Sequence, residues 1–399
     1  MKTEKIYFEN MYLDKLESEI VSIENGENSL LVELDKTIFF AEGGGQSCDL
    51  GYISDHRVQY VYEDGERIIH QVEMEGSELK EGDTILGAID WSRRFDNMQR
   101  HCGEHILAGV MDREYGYTNR GFHMGDNYMT ADFNFEKEGF RELSAFNQDT
   151  IDEIELYANK VIWEDLPVTI EQFDSLEEAS LTKTRKPIEF EKDITVVTIG
   201  SFDNPRDCIA CCGTHPDSTG QVGLLKIIKV EPYKGMWRFY FEAGAKAFKL
   251  LQVKANLLDQ IEKDFSANDD NLLEALGKEK DKRSQAEYQL YSLQTSLSEM
   301  LAEKTLKLEV QDKYFVDGDM LDSKHASKLA QDLSEKLQGK ALLVKNKDTL
   351  LVYSLNDKFK AGTTVKEFIA QNGGKGGGND KSARIMLEDD AMEQFISQI

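Results

Sequence analysis

Residues 99–107 read QRHCGEHIL, which sets His101 and His105 four positions apart. On a helix that spacing stacks both imidazoles on one face, a turn apart, within reach of a shared metal ion. A second pair of ligand type follows in DCIACCGTHPDSTGQVG, where Cys211 and His215 are also four apart. Pro216 disfavours helix at His215, so this pair belongs on a turn that folds back and presents both side chains inward. Three imidazoles and one thiolate suit zinc, and His101, His105, Cys211 and His215 are the candidate metal ligands.

Working outward, the chain divides into four segments and an α+β multidomain fold. Residues 1–90 alternate apolar and polar positions in short runs such as SLLVELDKTIFF and RVQYVYEDGERIIHQVEM, broken by Gly, Asn and Asp. That pattern predicts a β-rich, barrel-like domain. Residues 91–245 predict an α+β core. It comprises the metal helix, strands at YMTADFNF, DITVVTIG, KIIKVEPY and MWRFYFEAG, and a helix at IDEIELYANKVIWED.

Residues 246–312 turn helical, with Leu290, Leu293, Leu297 and Met300 spaced alternately three and four apart. A break is expected at SANDDNLL, with Asp269 or Asp270 as cap, so a hairpin and a single rod are both open. Either serves as a spacer or dimer arm. Residues 313–399 alternate helix and strand and form a compact α/β domain of their own.

At 399 residues the chain exceeds a single comfortable core. The start, MKTEKIYFEN, carries charges where a signal peptide needs an apolar run, and no later stretch approaches a membrane span. A cytoplasmic protein with no membrane partner is expected. The five cysteines are an odd number, clustered mainly in one region, which points to metal or thiol chemistry over a disulfide framework, with Cys208 and Cys212 as buried thiols. A formal charge of −27 repels polyanions at long range, so a nucleic acid must be met by local basic groups. The candidates are Arg93, Arg94 and Arg100 beside the metal helix, and Lys375 among the glycines of GGKGGG, where exposed amides could meet a phosphate. That run lacks the Ser or Thr and the spacing of a Walker loop.

Two rival chemistries reuse these residues. Cys208 and Cys211 form a CxxC, but a redox motif opens a helix and this one runs into Cys-Gly-Thr-His-Pro. His101, Glu104 and His105 satisfy H-x-x-E-H, the inverted zinc-protease motif, with Glu104 as general base. Against it, Gly103 interrupts the helix, and the second pair gives the metal four protein ligands with no place for the protease water.

MQRHCGEHIL and ACCGTHPDSTGQVG, preceded by FFAEGGGQSCDLG and followed by NGGKGGG, together resemble the editing region of alanyl-tRNA synthetase. They resemble equally its free-standing relatives, the long AlaX-type alanyl-tRNA editing proteins. The likeness covers nearly the whole chain and implies a C-terminal DHHA1-type domain. It implies hydrolysis of the ester joining serine or glycine to tRNA(Ala), a translation quality-control step, with Zn2+ on the four ligands above. There is no length for an aminoacylation domain, so no activation of alanine is expected.

By the resemblance, Thr37 faces the substrate serine hydroxyl, and Gly43, Gly44, Gly45 and Gln46 border the pocket. His123 stands roughly where many synthetases carry a pocket glutamine. Where the family writes Cys-Gly-Gly-Thr-His, this chain has Cys211-Cys212-Gly213-Thr214-His215, a departure bearing on pocket width. A homodimer through the helical arm and tail, and a non-catalytic tRNA binder with a structural zinc, are the remaining expectations.

Overall fold

A computed structural model describes residues 2–74, 78–189 and 194–399. The chain separates into two compact units, residues 1–258 and 259–399. Among the described residues no helix is long and apolar enough to cross a membrane.

The first unit opens with a closed antiparallel ring of six strands. These are β1 (Lys15–Asn25), β2 (Ser29–Leu34), β3 (Gly51–Ile53), β4 (His56–Asp64), β5 (Arg67–Glu73) and β6 (Thr84–Ile89), in the order β1-β2-β5-β4-β3-β6 and back to β1. Closure leaves no free edge, and alternate side chains fill the interior. Val32, Val58, Val61, Ile68 and Val72 are fully buried there with Phe39 and Ile53.

From the ring the chain enters α1 (Trp91–Tyr115), the expected metal helix. Asp90 caps it, its carboxylate accepting from the Arg93 amide at 3.2 Å, and Gly116 in the left-handed region ends it. Nearly every residue from Asn97 to Met111 is buried. Gly103 explains how such a helix packs, because a Cβ there would lie 2.6 Å from the Cβ of Ala243. The helix backbone rests directly on a strand, and this close approach offsets the roughly 1 kcal/mol that glycine costs in a helix.

That strand belongs to a four-stranded antiparallel sheet made of β7 (Tyr117–Met124), β8 (Met129–Phe135), β12 (Leu225–Tyr233) and β13 (Met236–Ala243), ordered β12-β13-β8-β7. Helix α2 (Gln148–Trp163) packs beside α1. Between them in sequence, β9 (Val168–Phe173), β10 (Ile194–Ile199) and β11 (Asp207–Ala210) form a second antiparallel sheet. Residue 193, the first of the expected DITVVTIG strand, lies outside the described residues. Helix α3 (Gly244–Phe265) follows β13.

In the second unit α4 (Leu272–Leu306) begins after the expected break. The cap position is Asn271 rather than Asp269 or Asp270, and its amide oxygen accepts from the Asn268 amide at 2.9 Å instead of capping the helix. The tail is a five-stranded sheet of β14 (Lys313–Asp317), β15 (Ala341–Asn346), β16 (Thr349–Ser354), β17 (Lys375–Gly378) and β18 (Ser382–Met386), ordered β14-β15-β16-β18-β17. Its helices are α5 (Ser323–Ser334), α6 (Ala361–Asn372) and α7 (Asp389–Gln398). β15 is buried on both faces. Leu342 and Val344 join a core with α5, while Ala341 and Leu343 join one with α6 and α7. Within the GGKGGG run, Lys375–Gly378 form the edge strand β17, paired with β18.

Candidate metal centre and its pocket

Three segments distant in sequence converge on one point. α1 contributes His101 and His105, and the turn after β11 contributes Cys211 and His215; one ligand atom from each lies within 4.8 Å of all the others. Cys211 Sγ stands 3.4 Å from Nε2 of both His101 and His215. The three imidazoles are almost fully buried, and the four side chains together could hold a metal ion.

The electrostatics favour a thiolate. Burial alone would push the Cys211 thiol up, but the three imidazoles around it hold it well below the usual thiol range. The Gly213 amide also donates to Cys211 Sγ at 3.3 Å.

The third segment is the GGGQ turn of the β-domain. Gly44 and Gly45 are both left-handed, at φ 59° and 82°, and Gly43 and Gln46 exchange backbone hydrogen bonds across them. This turn aims Gln46 inward. Its Oε1 accepts from His101 Nδ1 at 2.8 Å and from the Thr214 amide at 3.0 Å, and its Nε2 donates to Thr214 Oγ1 at 2.8 Å. One glutamine thus fixes the His101 tautomer, leaving Nε2 free to ligate, and ties the ring domain to the ligand turn.

The remaining expected residues divide sharply. Phe122, which sequence reading missed, has its ring 5.5 Å from that of His101, and a Cβ on Gly45 would lie 2.8 Å from it. Its neighbour His123 is exposed, because successive strand residues point to opposite faces. His123 is not among the residues that line the cavity described below. Cys208 is buried as expected, whereas Cys212 is exposed; its Sγ lies 2.8 Å from where a Gly44 Cβ would stand.

Arg94 and Arg100 are also corrected, since both are buried in ion pairs and present nothing to a solution ligand. Arg94 pairs with Asp49 and donates to the carbonyls of Met11 and Ile38 at 2.9 and 2.5 Å; Arg100 holds Glu242 at 2.7 Å. Arg93 is half-buried, donating to the Cys48 carbonyl, and Lys375 is exposed. Glu104 is buried and receives the Asn119 side-chain amide.

Thr37 is buried within the β-domain. Its hydroxyl accepts from the Phe39 amide at 3.0 Å and lies 2.8 Å from His70 Nε2. His70 Nδ1 donates to the Val32 carbonyl at 3.0 Å, so Nε2 is the acceptor and the Thr37 proton is given to it. One lone pair of Thr37 stays open.

A cavity of about 790 Å³ reaches the ligand turn at Cys211 and Cys212 and the GGGQ turn at Gly43. Its walls include Tyr7, Phe8, Phe40, Tyr62 and Phe173, and its charged lining is mainly acidic, with Glu4, Glu9, Glu42, Glu63, Glu66 and Asp174 against Lys2 and Lys5. Flat apolar walls beside carboxylates suit a planar, cation-bearing ligand better than a bare polyanion.

Comparison with known proteins puts this arrangement in the class of alanyl-tRNA editing proteins. Residues 3–93 match the model of class II (A) tRNA synthetases, residues 194–240 that of the threonyl and alanyl tRNA synthetase second additional domain, and residues 311–399 the DHHA1 domain. The alanyl-tRNA editing protein AlaX-L of Pyrococcus horikoshii is 31% identical over 98% of this chain and 96% of its own. The alanine–tRNA ligases of Pyrobaculum aerophilum and Ignicoccus hospitalis are each 28% identical, over 98% and 100% of this chain but only 43% of their own length. The chain belongs to the AlaX-L family of alanyl-tRNA editing proteins.

Proposed function

We propose that this protein is a trans-acting aminoacyl-tRNA deacylase, hydrolysing the ester of serine or glycine on tRNA(Ala) with Zn2+ on His101, His105, Cys211 and His215. The observation that carries the metal is the spacing of its donors. A tetrahedral ion with Zn–S of about 2.3 Å and Zn–N of about 2.0 Å needs S···N edges of roughly 3.5 Å. The two sulfur–nitrogen distances of 3.4 Å match that edge. The P. horikoshii relative, named for alanyl-tRNA editing and covered almost end to end, supports the substrate class.

An aminoacyl ester is already reactive, so the chain's task is to orient the carbonyl and a water and to stabilise the oxyanion. Zinc would supply positive charge for that oxyanion or acidify a water. Gln46 holds His101, the aromatic walls seat the ester end of the tRNA, and the cavity carboxylates favour the substrate's α-ammonium. Thr37 is proposed to accept from a serine hydroxyl with the lone pair its two partners leave unused, once the substrate opens a path to its buried position; alanine lacks that hydroxyl and is spared. Lys375 and Arg93 remain proposed phosphate contacts. The exposed Leu290, Leu293 and Met300 on α4 support a homodimer through that helix and the tail.

The test incubates the purified chain with Ser-tRNA(Ala), Gly-tRNA(Ala) and Ala-tRNA(Ala), with and without chelator, beside a Cys211→Ala variant. Release of serine or glycine but not alanine, lost on chelation and in the variant, is expected. An inert chain with bound zinc overturns the reading in favour of a structural metal. Thr37→Val should lower activity on Ser-tRNA more than on Gly-tRNA; equal losses remove the hydroxyl contact.

A further inference from the structure

His101 and His105 share a helix face, yet the groups behind them differ in charge. His101 Nδ1 meets the neutral amide oxygen of Gln46. His105 Nδ1 instead faces a carboxylate, Asp207 Oδ2, at 3.2 Å as an ion-pair contact, and has no hydrogen-bond partner among the described residues. Asp207 opens β11, the strand that leads into the Cys211 turn, and is 3% exposed.

A bare buried carboxylate would be costly, and here it is braced. Arg185 Nε donates to Asp207 Oδ1 at 2.6 Å from a side chain that is 5% exposed. The brace is itself fixed, since the Arg185 amide donates to the Cys208 carbonyl at 2.6 Å, one residue beyond Asp207 on the same strand. The backbone of Asp207 is held by its pairing with Ile199 on β10.

We propose that Asp207, braced by Arg185, is a positioning residue for the metal ligand His105. Facing a carboxylate, Nδ1 keeps the proton and Nε2 keeps its lone pair toward the other three donors. A carboxylate behind an imidazole also makes it a stronger donor than an amide does. His105 is thus the anchoring imidazole of the centre and His101 the weaker one. The arrangement sits in one strand with the Cys211 turn, so a shift of β11 would move two ligands together.

This inference rests on the metal reading above, and its test uses metal binding rather than hydrolysis. Zinc affinity of the full chain is measured by competition with a chromophoric chelator, and the cobalt-substituted protein is followed by its absorption bands. Asp207→Asn keeps the shape and removes the charge. It is expected to bind one metal per chain 10- to 100-fold more weakly, with altered cobalt d–d bands, and to melt lower than wild type in the metal-free state as well, because the buried Arg185 charge loses its partner.

Arg185→Gln, which leaves the carboxylate unbraced, should weaken zinc in the same direction by a smaller factor. It serves as the deciding variant if Asp207→Asn fails to fold. Wild-type affinity in the variant that folds, or a drop confined to metal-free melting, overturns the proposal while leaving the metal reading standing. A wild-type chain that takes up no zinc overturns both.

Discussion

Position 212 and position 213 sit side by side in the ligand turn, and only one of them has room. A Cβ on Gly213 would collide with the His101 ring and come within 2.9 Å of Gln46 Oε1. Cys212 points out beside the Gly44 turn and is exposed. The departure from Cys-Gly-Gly-Thr-His therefore falls at the permissive glycine. Gly213→Ala should lose most bound zinc, measured by metal analysis of the purified chain, whereas Cys212→Gly should retain full stoichiometry. His70 gives a second prediction at this scale. Burial lowers its pKa to about 4, so the native state takes up its proton later than an unfolded chain, whose value is near 6.5. The native form binds fewer protons across that window, and its stability falls as pH drops from 6.5 to 4. About 3 kcal/mol is at stake by the linkage relation. Denaturant melts of wild type and His70→Gln across this range should show the extra slope only in wild type.

Among the elements, α1 bears the most. It carries two ligands, and its Arg94 is sealed against the ring domain by Asp49 with both side chains fully buried. Removing one partner of a buried pair strands the other charge. Arg94→Met should cost about 3–5 kcal/mol in denaturant melts, and adding Asp49→Leu should recover most of that. Why sequence reading placed this arginine on the surface follows from the same pair: Asp49 is 45 positions away and Glu242, the partner of Arg100, is 142 away. Long-range pairing leaves no local mark. The clustering of the four candidate ligands was legible because two local spacings, a helical i,i+4 and a turn before proline, each carried half of the set. Phe122 was not, since which of two adjacent strand residues faces inward depends on the register shift between β7 and β8 near Gly121 and Asp132, and such a bulge has no residue signature there. The strand in GGKGGG was not legible for a similar reason: glycine disfavours strand locally, but pairing with β18 overrides that preference.

For the whole molecule, the unresolved contest is between a chain of charge −27 and a polyanionic substrate. Long-range attraction cannot bring tRNA to this protein, so contacts must be few, short-ranged and locally basic. The tail offers such a place: on the β17–β18 hairpin, Lys375, Lys381 and Arg384 are all exposed, and β17 is the edge strand of its sheet. Each phosphate contact releases condensed counterions and adds about 0.7–0.9 to the slope of log affinity against log salt. If Lys375 makes one such contact, Lys375→Ala reduces that slope by about this amount. Because a phosphate carries no information about the esterified amino acid, the variant should weaken Ser-tRNA, Gly-tRNA and Ala-tRNA by the same factor and leave zinc content untouched. Filter-binding or fluorescence titrations at several salt concentrations measure both quantities. A variant whose affinity and salt slope equal those of wild type would move the phosphate contact elsewhere, with Arg93, beside the metal helix, next to be tested.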